Sequence, residues 1–126
     1  MKVNILLALL SGFIFSCSVS KEFVSSDLIG SFYGVSNGSM PNTSIQYSLE
    51  LKTDNVFKLK IQGHDYRPEC IGVWEHKGDT IFLKCNEEKD IAIMLSNGYM
   101  NQREFKGLIK NRNKLKLDNV VLKRKQ

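Results

Sequence analysis

The chain contains 126 residues, of which 25% are charged and 42% hydrophobic. This composition indicates one globular domain and does not suggest a disordered or low-complexity chain. The formal charge of +5 is distributed unevenly, because residues 101–126 carry a net charge of +7 whereas residues 17–100 carry a net charge of −3. The basic character therefore belongs to the C-terminal segment alone.

The first residues have the zones of a secretory signal. Lys2 supplies a positive charge, residues 5–14 are apolar except for Ser11 and Gly12, and small residues surround Cys17. The apolar stretch is shorter than the roughly 20 residues that a transmembrane helix needs. We therefore predict that residues 1–16 form a signal helix that is removed on export.

The motif Ile14-Phe15-Ser16-Cys17 resembles a lipobox. The resemblance implies that Cys17 becomes the lipid-bearing first residue and anchors the mature chain in the membrane. The alternatives are cleavage after Ser20, which would give a soluble secreted or periplasmic protein, and a retained anchor helix. Lipidation of Cys17 and cleavage after Ser20 would both leave two cysteines available for pairing, as expected for an exported protein, so the count supports export more than the lipid.

The residues after Cys17 bear on the membrane and on the domain boundary. Ser18 is not the Asp that retains enterobacterial lipoproteins in the inner membrane, so the resemblance implies the outer membrane. Lys21-Glu22 is similar to the export tags of surface lipoproteins in Bacteroidetes-like bacteria. We predict a tether over residues 17–27 and a single domain over residues 28–126.

Alternating apolar residues predict a series of short antiparallel strands in this domain. A first strand covers Leu28–Gly34. The segments Ile45–Leu51 and Phe57–Ile61 form a hairpin around a Thr53–Asn55 turn, with Leu51 opposite Phe57 and all apolar groups on one face.

The next hairpin runs from Cys70 to Cys85. A two-residue Lys77-Gly78 turn would place Trp74 opposite Ile81 and Cys70 directly opposite Cys85. Opposed residues have β-carbons about 4.5–5.5 Å apart, which is close enough for a disulfide after slight adjustment. We predict a Cys70–Cys85 disulfide, with two buried free thiols or a metal site as alternatives.

The remaining segments also predict strands. Ile91–Leu95 leads into Asn97-Gly98, a strong hairpin-turn signal. Phe105–Lys110 and Leu115–Lys123 follow, separated by a polar turn at Asn111–Asn113. No helix is predicted after the signal.

About eight short strands joined in sequence predict an all-β fold, a small antiparallel meander curled into a barrel. A barrel of this size holds packed side chains or one small ligand, and strands this short favour packed side chains. Phe32, Tyr47, Phe57 and Trp74 are the predicted core residues.

Three segments, Gly30–Gly34, Leu49–Phe57 and Gly72–Ile81, together resemble small lipocalin-like bacterial lipoproteins, including the NlpE-type envelope-stress group. The resemblance implies the barrel fold. The Cys-x-x-Cys motif of the NlpE-type group is absent from Val35–Ser44, so the metal or redox role attached to that motif is not implied.

No catalytic motif is present, and we predict no catalytic residue, cofactor or metal. His64 and His76 lack the spacing of zinc ligands and are interpreted as solvated turn residues, although Glu69, Cys70 and Glu75 lie near them. The acidic residues from Glu87 to Asp90 are likewise interpreted as a solvated loop.

The C-terminal basic residues have two interpretations. They could contact anionic headgroups or lipopolysaccharide phosphates, or they could form the solvated face of amphipathic strands, where edge lysines also oppose aggregation. Nucleic acid is not an expected partner in the envelope. The residues are Lys106, Lys110, Lys114, Lys116, Lys123, Arg124 and Lys125.

These features predict a non-enzymatic binding or interaction module, tethered to the outer membrane, that engages an envelope protein, a glycan or a small apolar ligand. The alternative is a structural or protective lipoprotein, such as an inhibitor of a hydrolase that uses a protruding loop at His64–Glu69.

Overall fold

The structure is a computed structural model that describes residues 23–37 and 43–125. The predicted signal helix and the lipid site Cys17 lie outside these residues. The elements in chain order are helix α1 (Ser25–Leu28), strands β1 (Gly30–Ser36), β2 (Ile45–Leu51), β3 (Val56–Gln62), β4 (Glu69–Lys77) and β5 (Thr80–Cys85), helix α2 (Ile91–Met94), and strands β6 (Glu104–Asn111), β7 (Lys114–Leu117) and β8 (Val120–Arg124).

The eight strands form a closed antiparallel barrel in which each strand pairs with its neighbours in sequence and β8 returns to β1. The predicted all-β meander of eight strands is confirmed. Closure leaves every strand of this barrel with a hydrogen-bonded neighbour on both sides, so no strand edge is free.

No helix within residues 23–37 and 43–125 combines the length and the apolar character needed to cross a lipid bilayer.

Side chains alternate between the inner and outer face along each strand, and the inward-facing ones fill the interior of the barrel. Phe32, Phe57 and Trp74 are at most 2% exposed, as predicted, whereas Tyr47 is only half-buried near one opening. The indole Nε1 of Trp74 donates a hydrogen bond of 3.1 Å to the carbonyl of Lys52, so its one polar atom is satisfied. No polar or charged side chain among the described residues is buried.

Short polar turns join several of the strands, as the sequence predicts. Leu51 pairs with Phe57 around the Thr53–Asn55 turn, and both Asp54 and Asn55 have positive φ. Asp118 and Asn119 also have positive φ, at 47° and 67°, and they separate β7 from β8. Asn and Asp tolerate this left-handed conformation better than other non-glycine residues.

The Cys70–Cys85 disulfide is formed, with a Cα–Cα distance of 5.8 Å, but the predicted register of its hairpin is wrong by two residues. The turn is Gly78-Asp79, so Trp74 pairs with Leu83 and Cys85 lies opposite Gly72. A shift of two residues keeps every side chain on its original face, and the bridge therefore runs diagonally between the strands.

Gly72 makes this diagonal approach possible. A Cβ at residue 72 would collide with the Lys84 carbonyl and with Cα of Cys85. A larger residue would therefore force β4 and β5 apart beside the disulfide.

The predicted strand over Ile91–Leu95 is wrong, because this segment is the helical turn α2. The Asp90 carboxylate caps the turn by accepting a hydrogen bond from the Ala92 amide at 2.9 Å. Asn97-Gly98 forms a turn but not a hairpin, since its two carbonyls accept hydrogen bonds from the amides of Arg67 and Glu69. Apolar alternation did not distinguish this exposed turn from a strand.

The two ends of the barrel differ. At the helix end, which we define by α1 and the turns at 52–55, 78–79 and 112–113, Leu28 is fully buried and closes the interior. At the loop end, defined by residues 63–68, 86–103 and 118–119, Met100 is 3% exposed and performs the same role. Phe23 also packs against the core, so contact with the barrel begins upstream of residue 28.

Arg124 holds the helix end together. Its guanidinium donates to the carbonyls of Asp27 and Ile29 at 2.6 and 2.7 Å and to the carbonyl of Arg112 at 2.6 Å. It also lies 4.7 Å from the centre of the Phe32 ring, within the range of a cation–π interaction. One side chain therefore connects α1, β1 and the β6–β7 turn to the last strand.

Gly30 leaves space for this guanidinium. Its φ of 144° is rarely adopted by other residues, and a Cβ there would collide with Nη1 of Arg124.

Replacing Arg124 with lysine should lower the free energy of unfolding by at least about 2 kcal/mol. A lysine keeps the charge but cannot reach three carbonyls, and each hydrogen bond from a charged group contributes about 1.5–3 kcal/mol. Urea denaturation would measure the change. Lys123→Arg is the matched control, because Lys123 is exposed on the same strand and its replacement should change stability by less than about 0.5 kcal/mol. Equal effects of the two variants would contradict the role given to Arg124.

Replacing both Cys70 and Cys85 with alanine should destabilise the domain by about 3 kcal/mol, since the bridge closes a loop of about 15 residues. Urea denaturation would again report the change, and the reduced wild-type protein should give a similar value. A loss below about 1 kcal/mol in both samples would show that the bridge contributes little to the fold.

Candidate functional site

The loop end presents the most irregular and most exposed apolar surface among the described residues. Residues 86–103 leave the barrel after Cys85 and return at β6. Ile91, the first residue of α2, is 70% exposed, and Leu95, which directly follows α2, is 83% exposed. We call residues Ile91–Leu95 the apolar tip.

The base of this loop is firmly held although its tip is exposed. The Asn86 amide donates to the Ile71 carbonyl at 2.9 Å. Arg103 donates to the carbonyls of Met100 and Asn86 and lies 5.0 Å from the centre of the Tyr99 ring. The disulfide at Cys85 fixes the point from which the loop departs. The apolar tip is therefore presented on an ordered support.

Acidic residues border the apolar tip. Glu87 is exposed, whereas Glu88 is half-buried and its carboxylate accepts hydrogen bonds from the amides of Lys89 and Asp90 at 3.1 and 3.0 Å. The interpretation of this segment as a solvated loop therefore needs refinement, because Glu88 orders the chain just before α2.

A cavity of about 470 Å³ lies at the base of the loop. Ile71 and Ile93 are among its apolar lining residues. Its charged lining residues are Arg67, Arg103, Glu87 and Glu88. The nitrogens of Arg103 already bond backbone carbonyls, so this cavity is largely a consequence of how the loop is held.

A wider depression of about 800 Å³ lies on the outer wall of β4, β5 and β6. Val73 and Phe82 form its floor, and Lys106 lies 5.9 Å from the centre of the Phe82 ring. Three carboxylates and two ammonium groups line it, so neither sign of charge dominates. Its charged residues are Asp54, Glu75, Lys84, Glu104 and Lys106.

Tyr47 lies at the opening of the loop end. Burial raises the pKa of its phenol above the ordinary value of 10.0, and the nearby groups Asp118 and Tyr66 act in the same direction. Tyr47 is therefore neutral at physiological pH, and its partly exposed side chain packs against the core at this opening.

The two histidines lie at opposite ends of the barrel. His64 is exposed next to Asp65 at the loop end. His76 lies at the helix end, where its Nε2 is 3.1 Å from the Ser25 hydroxyl and its ring stacks on Trp74 at 6.4 Å. In residues 23–37 and 43–125, no three His, Cys, Asp or Glu side chains converge in a way that could hold a metal ion.

The structure separates the C-terminal basic residues that the sequence groups together. Arg124 bonds backbone carbonyls, Lys106 lies in the outer depression, and Lys116 is half-buried between its strand partners Leu108 and Val121. Lys125 lies 5.8 Å from the ring of Tyr33. Lys110, Lys114 and Lys123 remain as outward-facing cations at the helix end.

Sequence reasoning missed the apolar tip. The available signal was Asp90 followed by a run of apolar residues, which is an N-cap before a helical turn. The alternation of Ile91, Ile93 and Leu95 favoured a strand instead. The inhibitory loop was predicted at His64–Glu69, but Glu69 is the first residue of β4. The remaining loop is short and is held by hydrogen bonds from the amides of Ile61 and Gly63 to the carbonyls of Pro68 and Tyr66.

No protein-family model matches the chain, and no curated protein or solved structure is significantly similar to it. Interpretation of the site therefore depends on the geometry of the barrel and its two ends.

Proposed function

We propose that this chain is a lipid-anchored envelope lipoprotein whose barrel is a non-enzymatic interaction module. The partner-contacting surface is the apolar tip at the loop end. The observation that carries this proposal is a strongly exposed apolar turn on a base held by a disulfide and by Arg103.

Exposed apolar side chains at adjacent positions differ from the scattered ones found on most soluble surfaces. Ile91, Ile93, Met94 and Leu95 are between 40% and 83% exposed, so burial against a partner would remove much apolar area from water. Each side chain of this size contributes about 1.5–3 kcal/mol when fully buried. An ordered base lowers the entropy lost on binding.

The charges around the tip define the partner further. Asp90 lies directly before α2 and Glu87 lies three residues upstream of Asp90, and positive residues in this loop are limited to Lys89 and Arg103. A complementary surface would have an apolar depression bordered by Lys or Arg. The proposed partner is therefore an envelope protein with such a depression.

The inward-facing side chains favour recognition on the outside of the barrel over a carrier function. Phe32, Leu49, Phe57 and Leu59 are at most 1% exposed along the barrel axis. A small apolar ligand would have to displace such packed side chains, and pockets for drug-sized ligands have volumes of about 300 Å³ or more.

The intact, non-reduced mass of the mature protein from its native membrane tests the anchor. It should equal residues 17–126 plus the acylglycerol, less two hydrogens for the disulfide. A mass that begins at residue 21 without lipid would make the protein a secreted one and would remove the anchor from the proposal.

A photo-crosslinking amino acid at Leu95 tests the interaction surface in the native envelope. It should give one protein adduct, because the tip is expected to be buried against a single partner. The matched control is the same amino acid at Val121, which is 42% exposed on the outer wall and should give no such adduct.

A charge reversal sharpens this test. Glu87→Lys should decrease the Leu95 adduct, whereas Glu50→Lys on the outer wall should leave it unchanged. Identical adducts from Leu95 and Val121, or none from Leu95, would contradict the proposed surface.

A further inference from the structure

The two ends of the barrel carry opposite net charge. Counting the turns and the last two strand residues next to them, the helix end has eight basic and four acidic side chains. The same count at the loop end gives five basic and seven acidic side chains. The helix-end cations are Lys52, Lys77, Lys110, Arg112, Lys114, Lys123, Arg124 and Lys125, and the anions are Asp27, Glu50, Asp54 and Asp79.

Several cations at the helix end lack a neutralising neighbour. Among residues 23–37 and 43–125, Lys58 and Lys60 pair with Glu69, and Arg112 pairs with Asp27 at 3.6 Å. Lys77, Lys110, Lys114 and Lys123 have no carboxylate of the described residues within 4 Å. We call these four residues the basic rim.

Two members of the basic rim face each other. Lys114 and Lys123 are direct cross-strand partners on β7 and β8. Like charges directly opposite one another destabilise a sheet. An external anion placed against this pair would relieve their repulsion.

Cys17, the residue proposed to carry the lipid, precedes the helix end by only a few residues of chain. Phe23 and α1 pack at the helix end, where Arg124 bonds the carbonyl of Asp27 and Ser25 lies beside His76. From Phe23 back to Cys17 is six residues, which span at most about 20 Å when fully extended. A lipid on Cys17 would therefore keep the basic rim within a short distance of the bilayer.

We infer that the basic rim docks on anionic phospholipid headgroups and holds the barrel with its helix end toward the membrane and its apolar tip away from it. This inference rests on the lipid anchor of the proposed function and adds an orientation to it. Lysines near an anionic surface are attracted within about one Debye length, which is about 10 Å at 0.1 M salt and 3 Å at 1 M. The acidic loop end would be repelled by the same surface.

The only tryptophan of the chain, Trp74, gives a direct measure of this orientation. Its indole lies at the helix end, bonded to the carbonyl of Lys52. Energy transfer from Trp74 to dansyl-labelled headgroups should therefore increase as the helix end approaches the bilayer. The experiment uses the mature protein purified from its native membrane and mixed with phosphatidylcholine vesicles, with and without phosphatidylglycerol.

Transfer should be higher in the vesicles that contain phosphatidylglycerol, and 1 M salt should return it to the value in neutral vesicles. Replacing all four rim residues with glutamine should have the same effect as salt. The matched control replaces Lys58, Lys60, Lys84 and Lys106 with glutamine, which removes the same charge away from the rim and should preserve the difference. The salt measurement on the wild-type protein requires no variant to fold.

The outcomes separate the orientation from the anchor. If the protein floats with neutral vesicles but energy transfer from Trp74 is equal with and without phosphatidylglycerol, the docking of the basic rim is overturned and the anchor is retained. Equal loss of transfer in both fourfold variants would also overturn the docking, because total charge and not the rim would then decide. Failure to float with neutral vesicles would overturn the anchor itself.

Discussion

The fold depends on the contact between the Arg124 guanidinium and the first segment of the chain. Carbonyls 95 and 97 residues away in sequence accept its hydrogen bonds, and the Phe32 ring lies beneath it. Barrel closure itself involves a short pairing, in which β8 meets β1 at Phe32 and Tyr33. The side chain therefore reinforces the narrowest join in the hydrogen-bonded wall. Without it, α1 would keep the packing of Leu28 but would lose its hydrogen bond to the last strand.

A second constraint acts at the opposite end. The Cys70–Cys85 bridge joins β4 and β5 where the loop of residues 86–103 begins, and Arg103 ties the two sides of that loop together. One end is thus held by a covalent bond and the other by a charged side chain on backbone carbonyls. The two ends can therefore present different surfaces on one packed core. The surface beside α1 is basic, and the surface at the loop end is apolar with acidic neighbours.

The barrel was predictable from the sequence because burial on one face imposes a period of two, and most turns carry residues suited to positive φ. The hairpin of β2 and β3 shows this well, since Leu51 and Phe57 pair as predicted. The predicted register of β4 and β5 is wrong because turns at Lys77-Gly78 and at Gly78-Asp79 put the same side chains on the inner face of the sheet. The apolar alternation therefore does not distinguish the two registers. The helical turn at Ile91–Met94 was missed because its apolar residues are not buried, so their spacing carries no information about a core. The role of Arg124 depends on contacts between distant segments, which a local pattern does not contain.

The order of strands along the barrel also has a consequence for biosynthesis. Since β8 is the last of the eight strands in chain order and pairs with the first, the wall cannot close until β8 has been synthesised. At synthesis rates of about 5–20 residues per second, the earlier strands spend several seconds as an incomplete sheet with two unprotected edges. A chaperone or a translocation channel that engages extended polypeptide would have this interval in which to capture the chain before it becomes a finished barrel.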